Sequence, residues 1–354
     1  MGSYNPPMPA VSVTAPVRIF DCGGWSDTWF AGHGAVLHVA VTPGVTVRID
    51  ATPAGEASAS VTMRLASYGD EYGYRRDRAP GRHPLIEAAL DEWCDRDLDL
   101  SIVVESLMPP GASTGTSAAL IVAIAAACAS LGGEVVPPQE LARRAHQLET
   151  ERLGLQAGVQ DHIAAAFGGV NFIEMTSYPS TRVSHLSLDP AVAIAIARDT
   201  RLFYLGRAHR SSSVHDDVIK SLGARGAASQ AFDELRAAAV DARDALVQSD
   251  LRAFGRALIR NTDAQTLLHP SLVGEAARAV LAIATRHGAR GWKVNGAGGE
   301  GGTVALLLDE TTSDVARRLT SEVESRVPGA RLIDIQLAAD GAVAQRSGGR
   351  TNFR

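Results

Sequence analysis

One stretch limits what this chain can become. Ala118 to Ala129 runs for twelve positions without a polar side chain, and it ends at Gly132-Gly133. A helix that is apolar on every side has to be buried. It is also too short to cross a bilayer, which takes about 20 apolar residues. The expectation is a buried helix over 116–131, at the centre of a domain large enough to surround it.

What precedes that helix is as informative. Pro110-Gly111-Ala112-Ser113-Thr114-Gly115-Thr116-Ser117 is built from small residues, which let a backbone approach a ligand closely. A helix start points unpaired N–H groups and a positive dipole end at such a ligand. The hydroxyls of Thr116 and Ser117 sit where they could ligate Mg²⁺. The same residues would equally serve as an ordinary Ser/Thr N-cap after a Pro-Gly turn.

Around this centre, β-branched runs alternate with helical spacing. Strands are expected at Val11 to Phe20, Ala35 to Ile49, Leu98 to Ser106, Val170 to Met175 and Val192 to Leu205, with a looser strand or hairpin over Ala51 to Ser67. Helices are expected at Pro84 to Asp95, from Pro137-Pro138 through Glu151, and at Asp161 to Phe167. After Ser211, Ala- and Arg-rich helices dominate at 213–223, 227–248, 250–260 and 272–287, before strands at 303–308 and 330–337 that flank a helix at 312–326. Strands and helices without regular βαβ alternation indicate an α+β protein. The expected division is a disordered lead-in at 1–10, an N-terminal domain at 11–195 and a C-terminal domain at 196–354.

Charge and cysteines exclude several classes. Lys+Arg 34 against Asp+Glu 39 gives a formal net charge of -5, which argues against a general nucleic-acid binder with its basic face. Only Lys220 and Lys293 are lysines, so any single arginine carries little information. Cys22, Cys94 and Cys128 are odd in number and far apart in sequence. They build neither a disulfide framework nor a zinc spacing, which fits a reducing compartment. The Pro-rich start lacks the basic and apolar regions of a signal peptide. The chain is therefore expected to be soluble and cytoplasmic, with no membrane partner.

Two further glycine-rich segments accompany the loop at 110–117. Phe20-Asp21-Cys22-Gly23-Gly24-Trp25-Ser26-Asp27-Thr28 runs from a strand into a tight turn. An ionised Asp27 could accept from two hydroxyls of a polyhydroxylated ligand, although an Asx-type turn would use the same residues. Lys293-Val294-Asn295-Gly296-Ala297-Gly298-Gly299-Glu300-Gly301-Gly302 formally holds G-x-G-x-x-G. A strand follows it where a dinucleotide fold needs a helix, and no G-x-x-x-x-G-K-[ST] occurs, so neither nucleotide signature applies. Between these segments, Glu149 ends one helix and Asp161 begins another after a Gly-containing loop. One carboxylate could hold Mg²⁺ and the other could take or orient a hydroxyl proton. Alternatively, Asp161 caps its helix and Glu149 is solvated.

Taken together, these segments resemble the GHMP kinase superfamily, which includes galactokinase, homoserine kinase and mevalonate kinase. The resemblance runs from about Ala15 to Ile335, with three motifs in family order. The phosphate-loop pattern P-x-x-x-G-L-G-S-S-A-A aligns with Pro109 to Ala119 and departs from it at Ser113, Thr114 and Thr116. Gly23 to Thr28, Glu149 to Gly154, Gly158-x-Gln160-Asp161 and Tyr204-Leu205-Gly206 with Arg210-Ser211-Ser212 look like the fucokinase and heptose 7-phosphate kinase branch. The resemblance implies a ribosomal-protein-S5-like N-terminal domain, a ferredoxin-like C-terminal domain and ATP in the cleft between them.

It also implies roles. Backbone from Pro110 through Gly111, Ala112, Ser113, Thr114, Gly115 and Thr116 to Ser117 would cradle the ATP phosphates, with Gly298 and Gly299 closing from the second domain. Ser117, Thr116 and Glu149 would hold Mg²⁺. Asp161 would be the base, and Arg18 would neutralise phosphate or position that base. Asp27, with Gly24, Trp25, Ser26, Thr28, Arg210 and Gly296, would bind the sugar. Glu300 departs from the family glycine. The implied reaction is ATP-dependent phosphorylation of the anomeric C1 hydroxyl of a sugar or sugar phosphate such as heptose 7-phosphate. Arg75, Arg76, Arg82 and His83 are candidates to clamp a distal phosphate, or are simply a basic surface. An L-fucose-type kinase acting on an unphosphorylated sugar, or a non-catalytic protein of the same fold, are the alternatives.

Overall fold

The computed structural model describes residues 10–55, 59–77, 81–208, 211–222, 226, 229–309, 313–346 and 349–352. Among them the strands, in chain order, begin with β1 Val11–Cys22, β2 Gly34–Pro53, β3 Ser60–Leu65, β4 Asp70–Arg75 and β5 Leu98–Ser106. They continue with β6 Val170–Ser177, β7 Ser180–His185, β8 Thr200–Tyr204, β9 Gly291–Val294 and β10 Thr303–Leu307. The last are β11 Arg331–Ile333, β12 Gln336–Leu337, β13 Val343–Arg346 and β14 Gly349–Asn352. The helices of the first half are α1 Pro84–Trp93, α2 Thr116–Leu131, α3 Pro138–Gln147, α4 Gln160–Phe167 and α5 Pro190–Asp199. Those of the second half are α6 Ser211–Leu222, α7 Gln230–Val247, α8 Leu251–Leu268, α9 Glu275–Arg286 and α10 Ser313–Arg326.

The apolar segment becomes α2 and is buried as expected. Ile121, Val122 and Ile124 are wholly inaccessible, each contributing roughly 1.5–3 kcal/mol of burial. It lies across β1 and β2. These belong to a ten-stranded sheet in the order β14-β13-β1-β2-β5-β3-β4, with β12 and β6 also on β2 and β7 on β6. β2 is long enough to pair with β6 over 34–39 and then with β5 over 45–53. The remaining strands form a second, antiparallel sheet in the order β11-β8-β10-β9. Helix α7 packs on β2 and α8 on β9 and β1, which joins the two sheets. Val280, Ile283, Leu319 and Val323 of α9 and α10 close over Phe203, Val304 and Leu306 of the second sheet. The chain end then returns to the first sheet, β12 against β2 and β13 against β1.

Several expectations change. The run Val192 to Leu205 is not one strand but α5 followed by β8. Asp189 caps α5 by accepting from the Ala191 N–H, and Pro190 occupies its first turn. Val192 and Ile196 are buried while Ile194 is exposed, so the alternating β-branched residues follow a helical face. Strands β4, β7, β9, β13 and β14 fall where none is expected, and α8 runs on to Leu268. The reading of the cysteines is corrected as well. Cys94 at the end of α1 and Cys128 in α2 are bonded to each other, and Cys22 is the buried free thiol. Their separation of 34 residues disappears once the two helices pack, and the argument for a reducing compartment goes with it. Residues 1–9 of the expected lead-in lie outside the described residues. Among those described, no helix is long and apolar enough to cross a membrane.

Candidate active site

The end of β1 supplies the first half of the site. The strand bulges between Ile19 and Cys22, and Phe20 takes a left-handed backbone with φ 52°. A bulge re-aims side chains. This one sends the Phe20 N–H to Asn295 Oδ1 at 3.1 Å and leaves Arg18 and Asp21 buried near each other. Arg18 Nε donates to Asp161 Oδ1 at 2.9 Å, its Nη1 to the Ser113 carbonyl and its backbone N–H to the Thr114 carbonyl at 3.0 Å. One arginine thus ties strand, loop and α4 together. Burial alone would lower its pKa, but Asp161 and then Asp21 raise it, so the guanidinium stays charged.

The turn after β1 divides its side chains. Ser26 and Thr28 donate within the turn, to the Gly23 and Trp25 carbonyls, each at 2.7 Å. Asp27 instead accepts from the Gln160 N–H at 3.0 Å, on the start of α4. Gly158 permits this approach, since a Cβ there would lie 2.2 Å from Asp27 Oδ2. Burial pushes the Asp27 carboxyl up to about 6, against the opposing pull of the Gln160 N–H. A carboxylate committed across the cleft is not the local Asx turn.

The glycine loop before α2 does not use a Ser/Thr cap. Its N-cap is Gly115, left-handed at φ 77°, and makes no side-chain cap bond. Residues 111–118 line the cleft, so the helix start is available to an anion. A Cβ on Gly115 would stand 3.1 Å from Asp161 Cγ, which puts the carboxylate directly over this loop. Asp161 does not cap its own helix either, because α4 starts after Val159 without a side-chain cap.

Glu149 occupies a π-helical turn, Leu148–Arg152, that continues α3. Such turns recur at functional sites, and nothing in the residue spacing announces this one. Its side chain is 14% exposed and sits 2.8 Å from Nε2 of the buried His162. Thr116 and Ser117 line the same cleft. One carboxylate with neighbouring hydroxyls fits Mg²⁺, which is usually held by one or two carboxylates plus substrate phosphates. Among the described residues, no group of three His, Cys, Asp or Glu could hold a metal alone.

The third glycine segment packs onto the second. Gly296, at φ 61°, donates its N–H to Asp21 Oδ2 at 2.9 Å. A Cβ on it would meet the Ser113 carbonyl at 2.6 Å and Arg18 Nη2 at 3.2 Å. Gly298 and Gly299 turn toward Leu272, whose carbonyl accepts the Gly299 N–H at 3.0 Å. Glu300 is exposed and lies against Gly274.

Of the expected residues, Arg18, Trp25, Asp27, Thr28, residues 111–117, Glu149, Asp161 and Gly296 line one cleft. Gly24, Ser26, Pro110, Gly298 and Gly299 are outside its lining. Arg210 lies outside the described residues, as do the side chains of Ser211 and Ser212. Arg75, Arg76, Arg82 and His83 are not in that lining. Arg82 and His83 pair with Asp70, Arg76 donates to the Leu90 and Cys94 carbonyls, and Arg75 is 4.0 Å from Asp77. Sequence reasoning assigned no role to Gln160 and His162, which are buried and line the cleft. Their adjacency to Asp161 was the available signal.

Residues 84–169, which hold the glycine loop, α2, Glu149 and Asp161, match the GHMP kinases N terminal domain. The chain is similar to the D-glycero-alpha-D-manno-heptose 7-phosphate kinase of Campylobacter jejuni, 24% identical over 64% of this chain and 66% of that one. It is 28% identical to the galactokinase of Mycobacterium tuberculosis over 58% of this chain and 64% of that one. The matched stretch therefore spans just under two thirds of each relative. A solved D-glycero-D-manno-heptose 1-phosphate kinase from Bacteroides thetaiotaomicron superposes with a TM-score of 0.73, at 19% identity, covering 95% of this chain and 98% of that one. Its fold extends to both sheets, whereas the domain match is confined to the first half. Residues 84–169 are thus similar to a GHMP kinases N terminal domain, and the fold over 95% of the chain is similar to that of a solved heptose kinase.

Proposed function

We propose that this protein is an ATP-dependent kinase that phosphorylates a hydroxyl, the anomeric C1 hydroxyl, of a sugar or sugar phosphate. One observation carries the reading. The Asp161 carboxylate, held by Arg18 at 2.9 Å, stands over Gly115 at the start of α2. An acceptor hydroxyl placed there lies between a proton acceptor and a cradle for the transferred phosphoryl. Phosphoryl transfer needs placement and charge neutralisation more than covalent help. Backbone N–H groups from Gly111 to Ser117 would bind the phosphates, aided by the dipole of α2. Arg18 orients Asp161 and adds positive field, Asp161 orients the hydroxyl and takes its proton, and Asp27 accepts from other sugar hydroxyls. Glu149, Ser117 and Thr116 would hold Mg²⁺, which when bound neutralises phosphate charge. A kinase drawing on ATP and sugar phosphates belongs in the cytoplasm, and that placement is part of the reading.

The relatives' names support a heptose-phosphate acceptor. A second reading, an unphosphorylated sugar, is favoured by the lining itself. Among its described residues Arg18 is the one Lys or Arg, and it is committed to Asp161. A panel of aldoses and their terminal phosphates, with ATP consumption followed and the product assigned by NMR, separates the two. Asp161→Asn should abolish transfer while nucleotide affinity persists. Wild-type turnover by that variant would rule out a catalytic Asp161. A protein of this fold without catalysis would consume no ATP with any acceptor.

A further inference from the structure

Behind the cleft wall two charges are sealed from water. Asp21 and Lys293 are both fully buried, with Nζ 3.3 Å from Oδ1. Such a pair is costly to desolvate, and apolar packing in its place is often as stable or more so. Stability alone therefore explains it poorly. It is also unusual for this chain, in which only two of 34 cationic residues are lysines.

The pair sits where both halves of the site meet. The β1 bulge sets Asp21 beside the second half of the chain, and its Oδ2 accepts the Gly296 N–H at 2.9 Å. The same oxygen lies 4.0 Å from Arg18 Nη2. Lys293 Nζ donates to Gln265 Oε1 at 3.2 Å and to the Val294 carbonyl. Gln265 Nε2 in turn donates to the Val294 carbonyl at 3.2 Å. Asn261, one turn earlier on α8, accepts the Gly23 N–H at 2.6 Å. Charges alternate from Lys293 through Asp21 and Arg18 to Asp161, and both flanking glycine turns hang from the same network.

We propose that Asp21 and Lys293 are positioning residues: the buried pair holds Arg18 between two carboxylates and pins Gly296 against it, which fixes the Asp161 carboxylate over the glycine loop. The proposal rests on the reading of Asp161 as the proton acceptor. If Asp21 loses its charge, Arg18 keeps Asp161, Ser113 and Thr114 as partners but loses the anchor on its far side. The guanidinium is then free to follow Asp161 rather than to hold it.

The test compares Asp21→Asn, Lys293→Met and the double variant D21N/K293M with the wild type. Each single variant leaves one buried charge without its Asp21–Lys293 partner and should melt at a lower temperature. The double variant removes both charges and should recover the wild-type melting temperature. Affinity for MgAMP-PNP should stay within about two-fold of wild type, whereas kcat with the acceptor found in the aldose panel should remain at least ten-fold down, with KM for ATP little changed. A merely structural pair predicts that kcat returns together with the melting temperature, and that result would overturn the proposal. If the wild type consumes no ATP with any aldose, the kinase reading fails by itself. The crystal structure of the double variant then decides, since an Arg18–Asp161 contact kept at its wild-type distance overturns the positioning role and a displaced Arg18 sustains it.

Discussion

Asp27→Asn should make the protein more stable and less able to bind its acceptor. Asp27 is 1% exposed, and burial raises its carboxyl from the ordinary 3.8 to about 6. The folded state therefore holds the proton more tightly than the unfolded chain. Stability is fully present below the unfolded value near 4, falls as pH rises, and levels off above about 6. At pH 8 the ionised carboxylate costs the folded state roughly 3 kcal/mol. Asparagine resembles the protonated acid and still accepts the Gln160 N–H, so it escapes that cost. Urea unfolding should thus find the variant more stable by about 3 kcal/mol at pH 8 and by about half that at pH 5. Comparing the two proteins at each pH cancels every other titrating group. In acceptor titrations the variant should bind at least ten-fold more weakly, because a neutral amide accepts hydroxyl protons less strongly than a carboxylate. No gain at pH 8, or an equal gain at both pH values, would refute the claim that a buried ionised carboxylate is held there against its own solvation.

Other perturbations test the surrounding architecture. Gly158→Ala puts a Cβ 2.2 Å from Asp27 Oδ2, so acceptor KM should rise at least ten-fold while nucleotide affinity is unchanged; an unaltered KM would separate Asp27 from acceptor binding. Cys128→Ser opens a link between residues 34 apart, and loop-closure entropy sets the loss at ~4 kcal/mol, measurable by denaturation with and without reductant. Asp250→Ala removes the cap that accepts from the Arg252 and Ala253 N–H groups at 2.9 and 2.8 Å. It should cost about 1 kcal/mol and leave turnover alone.

The legibility of this protein varied with the range of the interaction that set each feature. Helix α2 was evident because an uninterrupted apolar run satisfies only a buried helix. The glycine loop before it, Glu149 and Asp161 were visible as residue types in family order. The π-helical turn that presents Glu149 carries no local mark, and neither does the bulge that sets Asp21 and Arg18 together. The run from Val192 misled because alternation of β-branched residues suits a strand, while the Asp189 cap and Pro190 start a helix there.

Composition, the apolar helix and the order of the glycine motifs pointed by themselves to an α+β protein that resembles the GHMP kinases, with a glycine loop at 110–117 leading into a buried helix. They did so because burial of apolar surface and backbone approach depend on residue type over short stretches. Only the tertiary structure decided which side chains share the cleft. It brought Arg18 to Asp161 across 143 positions, Asp27 to Gln160 across 133, and Asp21 to Lys293 in a sealed pair. It also bonded Cys94 to Cys128, two cysteines that read as unrelated, and left Arg75, Arg76, Arg82 and His83 out of the cleft lining. Such pairings come from sheet register and helix packing, which no local pattern encodes.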